Sequence, residues 1–386
     1  MATRVFLHIG LPKTGTTYLQ QVLWKNKDEL GRQGVLLPGF GPRQHLWASA
    51  VVREEKNIRQ RHADAPHAWA ALTRESVAWP GPVVISHEFL AAASAEQAKD
   101  AVNSFGAAEV HLILTARDTL SLVTARWQEF VKNGATTPID SYPASDVTDP
   151  QNAWDWGTMD LADVLRRWGT AVPADRVHIV TLPKPSEPHQ TLWLRFAALL
   201  QVDPSQFDAA NSAANESLGV VEVELLRRVN RNLQGFDKPL DRGLWIRGYL
   251  AQNKLASGGR EKFWPSPERV QQLRERGDAA ADFVDQSGFQ VYGDLADLRT
   301  PTELPSRRHP DAVSDTEILD VASATIASML ADVRDLRRER RALREELAAE
   351  VAERKRLQET GLRGAVVRRY PWLRPVLQRK DGPRLE

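Results

Sequence analysis

Along the first three hundred residues the apolar positions fall in short blocks separated by helical spacing. Arg4-Val5-Phe6-Leu7-His8-Ile9 is an apolar, β-branched run that predicts a buried strand, and Leu19, Val22 and Leu23 then recur at the period of a helix. Val83-Val84-Ile85, entered through Pro80-Gly81-Pro82, predicts a second strand. Val110 to Leu114 predicts a third, followed by a helical run from Leu120 to Val131, and Val177 to Val180 predicts a fourth that ends at Thr181. Strands alternating with helices imply a central parallel sheet with helices on both faces. Ligands of such sheets bind outside the carboxyl ends of the strands, so the residues just after each strand carry the chemistry. The stretch 133–157 is rich in Pro, Thr, Ser and Asp and reads as a long surface loop, either a substrate flap or a plain connection. Trp154, Trp156 and Trp168 flank a helix expected from Met159 to Trp168 and read as core.

The pattern changes after Pro301, Pro305 and Pro310. It divides the chain into an α/β domain (1–298), a proline-rich linker (299–312), a coiled coil or long helix (313–360) and a basic tail (361–386). In the third segment Leu319, Ala322, Ile326, Met329, Val333, Leu336, Leu343, Leu347 and Leu357 hold one a/d register, broken at Arg340, Glu350 and Arg354. A coiled coil would give a homo-oligomer; a solvated single helix held by Glu and Arg pairs is the alternative. The tail combines basic residues with Val366, Val367, Tyr370, Trp372, Leu373 and Leu377, which suits peripheral contact with an anionic membrane or a partner, although two prolines favour a frayed end.

Composition narrows the possibilities further. With 51 basic and 50 acidic residues the net charge is +1, so no whole-protein field draws in nucleic acid, and any anion site must be built locally. The absence of cysteine removes disulfides, thiolate metal sites and cysteine nucleophiles together. No signal-peptide pattern and no run of about 18 apolar residues is found, which leads to the expectation of a cytoplasmic protein.

The candidate chemistry sits in HIGLPKTGTTYLQ, residues 8–20. Gly10 and Gly15 keep the glycine spacing of a P-loop, but Thr16 and Thr17 stand where lysine and Ser/Thr belong, and Lys13 lies three residues early. A loop between a strand and a helix N-terminus points several N–H groups at one spot, where the helix dipole adds positive charge. Lys13 adds a full charge, and Thr14, Thr16 and Thr17 add hydroxyls. The displaced lysine speaks against a magnesium-dependent P-loop kinase or NTPase, which stays as an alternative.

This loop resembles the 5′-phosphosulfate loop of the PAPS-dependent sulfotransferases, matching PK[ST]GTT, an aromatic and a leucine at every position from Pro12 to Leu19. The resemblance covers about residues 4 to 295 and is strongest here. It implies a P-loop-like three-layer α/β fold, the donor PAPS (3′-phosphoadenosine 5′-phosphosulfate) without a metal, and a hydroxyl or amine acceptor such as a carbohydrate, lipid or small metabolite. Lys13, Thr14, Gly15, Thr16 and Thr17 would hold the donor, with Lys13 also stabilising the bridging oxygen. Arg117 falls where the family's 3′-phosphate arginine is expected, but Thr119 replaces a proline and Ala125 replaces the serine, leaving Ser121, Thr124 and Arg126 nearby. The family's catalytic base follows the second strand. Here ISHEFL offers both His87 and Glu88, bacterial members with this style of loop favour the glutamate, and His45 is a third candidate. Asn215 resembles a late Asn-x-Ser element and no RKG loop is found; Arg247, Lys254 and Arg260 are the residues that could substitute for it, with a solvated basic loop the favoured reading. These departures keep open an inactive anion-binding or assembly module.

Overall fold

The computed structural model describes residues 3–144, 149, 151–184, 186–188, 190–210, 217–256 and 261–377, and their side chains except those of 358–360, 362, 363, 376 and 377. Asn215 and Arg260 lie outside the described residues. The strands are β1 (Arg4–His8), β2 (Val83–Ser86), β3 (Glu109–Ala116), β4 (Val177–Thr181) and β5 (Gln290–Tyr292). They form one parallel sheet in the order β2-β1-β3-β4-β5. The order reverses between β1 and β3, and in doubly wound sheets the ligand crevice opens at that switch point. Backbone bonds from Ile9 N to Ile113 O and from Leu11 N to Thr115 O, both 2.9 Å, carry the β1 and β3 pairing into the loop beyond.

Side chains alternate across the sheet, so the register assigns each strand residue to a face. Phe6, Val84, Ile113 and Val180 share one face and pack under the helices Thr16–Lys25 and Thr191–Leu200, against Leu19, Val22, Leu23, Trp193 and Phe196. Each such residue, fully buried, contributes about 1.5–3 kcal/mol. Val5, Leu7, Leu112 and Leu114, on the opposite face, are equally buried. A sheet buried on both faces explains why its strands read as continuous apolar runs.

Two elements differ from the sequence reading. β5 has no pattern to announce it, being three residues long and half exposed. The helix expected from Met159 runs Leu161–Gly169, because the Asp160 side chain accepts from Asp163 N at 3.0 Å and caps it. Trp156 and Trp168 are core residues, whereas Trp154 is only half-buried.

The chain divides into two compact units, Met1–Val321 and Ala322–Glu386. The 299–312 segment lies in the first. Pro305 O accepts from Trp264 Nε1 at 3.1 Å, Pro301 O from Arg274 at 3.1 Å, and Arg308 reaches Glu261 and Glu317. The second unit is carried by the helix Asp315–Thr360, followed by the helix Leu362–Arg369. Among the described residues no helix is long and apolar enough to cross a membrane.

Candidate functional site

A cleft of about 950 Å³ opens beyond the carboxyl ends of β1, β2 and β3. Seven lysine and arginine side chains line it against four carboxylates, so the local balance is far more positive than that of the whole chain. Its floor is the loop 9–15. Gly10 has φ +30°, and a Cβ there would come within 2.6 Å of Thr16 Cγ2; at Gly15 (φ +86°) it would meet Leu192 Cδ2 at 2.3 Å. Lys13 also takes a left-handed backbone, φ 64°, a conformation that costs a non-glycine residue about 1–3 kcal/mol. The helix Thr16–Lys25 starts on Gly15 with no side-chain cap. Among the described residues, the N–H groups of Thr16, Thr17 and Tyr18 meet no backbone acceptor. Three orphan donors, a helix dipole and Lys13 therefore face one cleft.

A buried polar lattice holds this floor. His8 Nδ1 lies 2.8 Å from Ser86 Oγ and His8 Nε2 lies 3.3 Å from Thr115 Oγ1, joining the carboxyl ends of β1, β2 and β3. Thr115 Oγ1 is 2.6 Å from Thr14 Oγ1, which also donates to Leu11 O. The Thr14 hydroxyl is thus committed inside the protein, while Thr16 and Thr17 line the cleft. Burial pushes His8 down to about 4, so it is neutral at neutral pH.

Of the three candidate bases, only Glu88 lines the cleft. It accepts from Gln20 Nε2 at 3.1 Å, and Gln20 also reaches Ser86 Oγ at 3.3 Å. Burial works to raise its pKa, but His87, a backbone N–H, Gln20 and Arg126 outweigh this and hold it below the usual carboxylate range. His87 turns its Nδ1 to the N–H of Phe89 at 3.1 Å and caps the turn Glu88–Ala92, with burial lowering its pKa. His45 is locked between Pro38 O at 2.9 Å and Ser86 N at 3.2 Å, and burial pushes it down to about 4.

Lys13 Nζ lies 3.2 Å from Glu129 Oε1. Glu129 also takes Lys132 at 3.2 Å and Arg247 at 3.5 Å. Burial would raise this carboxyl, but the three cations bring it down to about 2, while burial lowers the Lys13 pKa against the pull of Glu129. Sequence reading passed over Glu129, and it took Arg247 for a solvated loop residue. A long helical segment, Arg242–Leu255, instead delivers Arg247 to the cleft. Arg126 is 4% exposed, its guanidinium lies 4.0 Å above the Trp154 ring, and it donates to Ala153 O. Trp154, expected in the core, is thus a wall of the cleft.

The other half of the expected donor site stands apart. Arg117 follows β3 and faces Asp118 at 3.8 Å, and its buried Nε has no hydrogen-bond partner. Asp118 accepts from Ser121 N at 2.7 Å and so caps the helix Thr119–Lys132. Neither Arg117 nor Ser121 lines the cleft. Among the described residues no group of three or more His, Asp or Glu side chains is placed to hold a metal ion.

No family model, curated protein or solved structure matches this chain.

Proposed function

We propose that this chain is a sulfotransferase that moves a sulfuryl group from PAPS to the hydroxyl or amine of a small-molecule, lipid or carbohydrate acceptor. One observation carries the reading: an uncapped helix N-terminus, Lys13 and the carboxylate of Glu88 share a single cleft at the switch point of the sheet. The residues present suit such a donor. The orphan N–H groups of the first turn and the Thr16 and Thr17 hydroxyls would take the 5′-phosphosulfate, whereas Arg117, which faces Asp118 and does not line the cleft, offers the 3′-phosphate no contact there.

When bound, PAPS supplies an activated sulfuryl group on a phosphate leaving group. Lys13 would neutralise the charge that the phosphate leaving group takes on. Glu88, already ionised at neutral pH, takes the proton of the acceptor hydroxyl as the new bond forms. Glu129 keeps Lys13 at the cleft through their ion pair.

Calorimetry with 3′-phosphoadenosine 5′-phosphate tests the donor half. Binding in the micromolar range supports it; no binding, with clear binding of ATP and magnesium, sinks it in favour of a kinase or NTPase. A non-catalytic anion-binding module is favoured by the Thr14 hydroxyl being spent internally and by Ala125 standing where the family has serine. Nucleotide binding without transfer of labelled sulfuryl to any fraction of a cell extract would select that reading.

A further inference from the structure

The helix Asp315–Thr360 continues unbroken for 46 residues, about 69 Å at 1.5 Å per residue. Along it Ile326, Val333, Leu336, Leu343, Leu347 and Leu357 are all between 46% and 63% exposed. Apolar side chains left this open on a single helix are costly to hydrate, and they lie on one stripe of period 3.5. From Ala322 to Leu357 the a positions are Ile326, Val333, Arg340, Leu347 and Arg354, and the d positions are Ala322, Met329, Leu336, Leu343, Glu350 and Leu357. β-Branched residues at a with leucine at d favour two parallel strands.

The flanking charges select the partner and its direction. The g positions Asp332, Glu339, Glu346 and Glu353 are all acidic, and of the e positions Leu330, Arg337, Arg344 and Val351 the central two are basic. In a parallel, in-register pair each g residue meets the following e residue of the other helix, so Asp332 faces Arg337 and Glu339 faces Arg344, each twice by symmetry. An antiparallel pair would set g against g and e against e, acid on acid and arginine on arginine. Arg340 at a can extend its guanidinium toward Glu339 of the other helix, at the edge of the seam where it stays in water. Such a polar a layer lowers stability and penalises other registers. The complementary surface for this stripe is the same stripe on a second copy.

We propose that the helix Asp315–Thr360 is a dimerisation element that pairs two copies of this chain as a parallel, in-register coiled coil. The chain has no cysteine, so an introduced one reports cleanly on geometry. Met329→Cys, at d, and Arg354→Cys, at a, are made separately in the full chain, mixed and oxidised. The parallel pairing expects each variant to crosslink with its own kind in unmixed samples. An antiparallel pairing centred between Arg341 and Ala342 sets a against d, so it would crosslink only the mixture and would overturn the orientation.

Sedimentation of the unmodified chain is expected to give a dimer. A monomer at high micromolar concentration, or a trimer, overturns the proposal. Asp332→Arg is expected to weaken dimerisation about tenfold, and adding Arg337→Asp to restore it, since exchanging the charges preserves both symmetry-related pairs. A weakening that the second change fails to restore would also count against this register. Helical content by circular dichroism separates loss of pairing from loss of the helix.

Discussion

One face of the sheet carries two clusters of polar side chains, one at each end, and they differ in what surrounds them. At the carboxyl end His8, Ser86 and Thr115 bond to one another and then upward to Thr14 and Gln20, in the loop and helix above. At the amino end His111 Nδ1 meets His178 Nε2 at 2.8 Å, with the rings stacked 5.1 Å apart. There His111 Nε2 faces Glu109 Oε1 at 3.3 Å, and His178 Nδ1 finds no hydrogen-bond partner among the described residues. Burial lowers the pKa of both amino-end histidines, His178 to about 4, so the histidines at the two ends are alike in charge. The difference lies in the chain direction: in a parallel sheet every loop that leaves a carboxyl end can converge on its neighbours, so polar groups there have backbone to position. At the amino end the histidine pair has Glu109 beside it, itself paired with Arg176, and among the described residues no loop or helix above that bonds to it as Thr14 and Gln20 do at the other end.

The strongest break between the two ends is catalytic. Glu88→Gln is expected to lower sulfuryl transfer about 100- to 10,000-fold while nucleotide binding by calorimetry stays unchanged. A variant that transfers normally would remove Glu88 from the role of base. Next comes His8→Ala, which leaves Ser86 and Thr115 short of a partner and opens a cavity under the loop. Chemical denaturation should show a loss of about 3 kcal/mol, with weakened nucleotide binding.

Lys13→Ala should weaken binding of 3′-phosphoadenosine 5′-phosphate about 10- to 100-fold, the worth of one charge-assisted contact, and its melting temperature should change little. Acid titration is a gentler probe. His8 and His45 have folded pKa values near 4, below the ordinary 6.5, so between those values the unfolded chain binds more protons and stability falls as pH is lowered. Each contributes a slope of up to about 1.4 kcal/mol per pH unit in that window. The Glu129 carboxyl adds its own loss only lower, between 4.5 and about 2. Flat stability from pH 6.5 to 4 would contradict the buried, neutral state of both histidines. The smallest effect is reserved for the amino end: His178→Phe should shift stability by about 1 kcal/mol or less and leave nucleotide binding untouched.

Four of the five strands and the loop were legible because their signals are local. A buried parallel strand announces itself as an apolar run, and a glycine-spaced loop before a helix announces donors. β5 was silent because three half-exposed residues carry no period. Glu129 was passed over, and the places of Arg126 and Trp154 were missed, for another reason. Each looks like an ordinary residue of a helix or loop, and only its neighbours make it part of the cleft. The one available hint was polar residues, His8, Ser86 and Thr115, closing strands that are otherwise apolar.

By itself the sequence determined the alternation of strand and helix, the glycine-spaced loop between the first strand and helix, and the a/d stripe with its sorted charges. All of these follow from periods and dihedral preferences that act within a few residues. Only the tertiary structure decided that Glu88 rather than His87 or His45 reaches the cleft, that Lys13 is held by Glu129, and that Arg117 stands apart. Those outcomes depend on the strand order, which brings residues separated by dozens to more than a hundred positions into contact, and no local preference encodes which side chain then points at which.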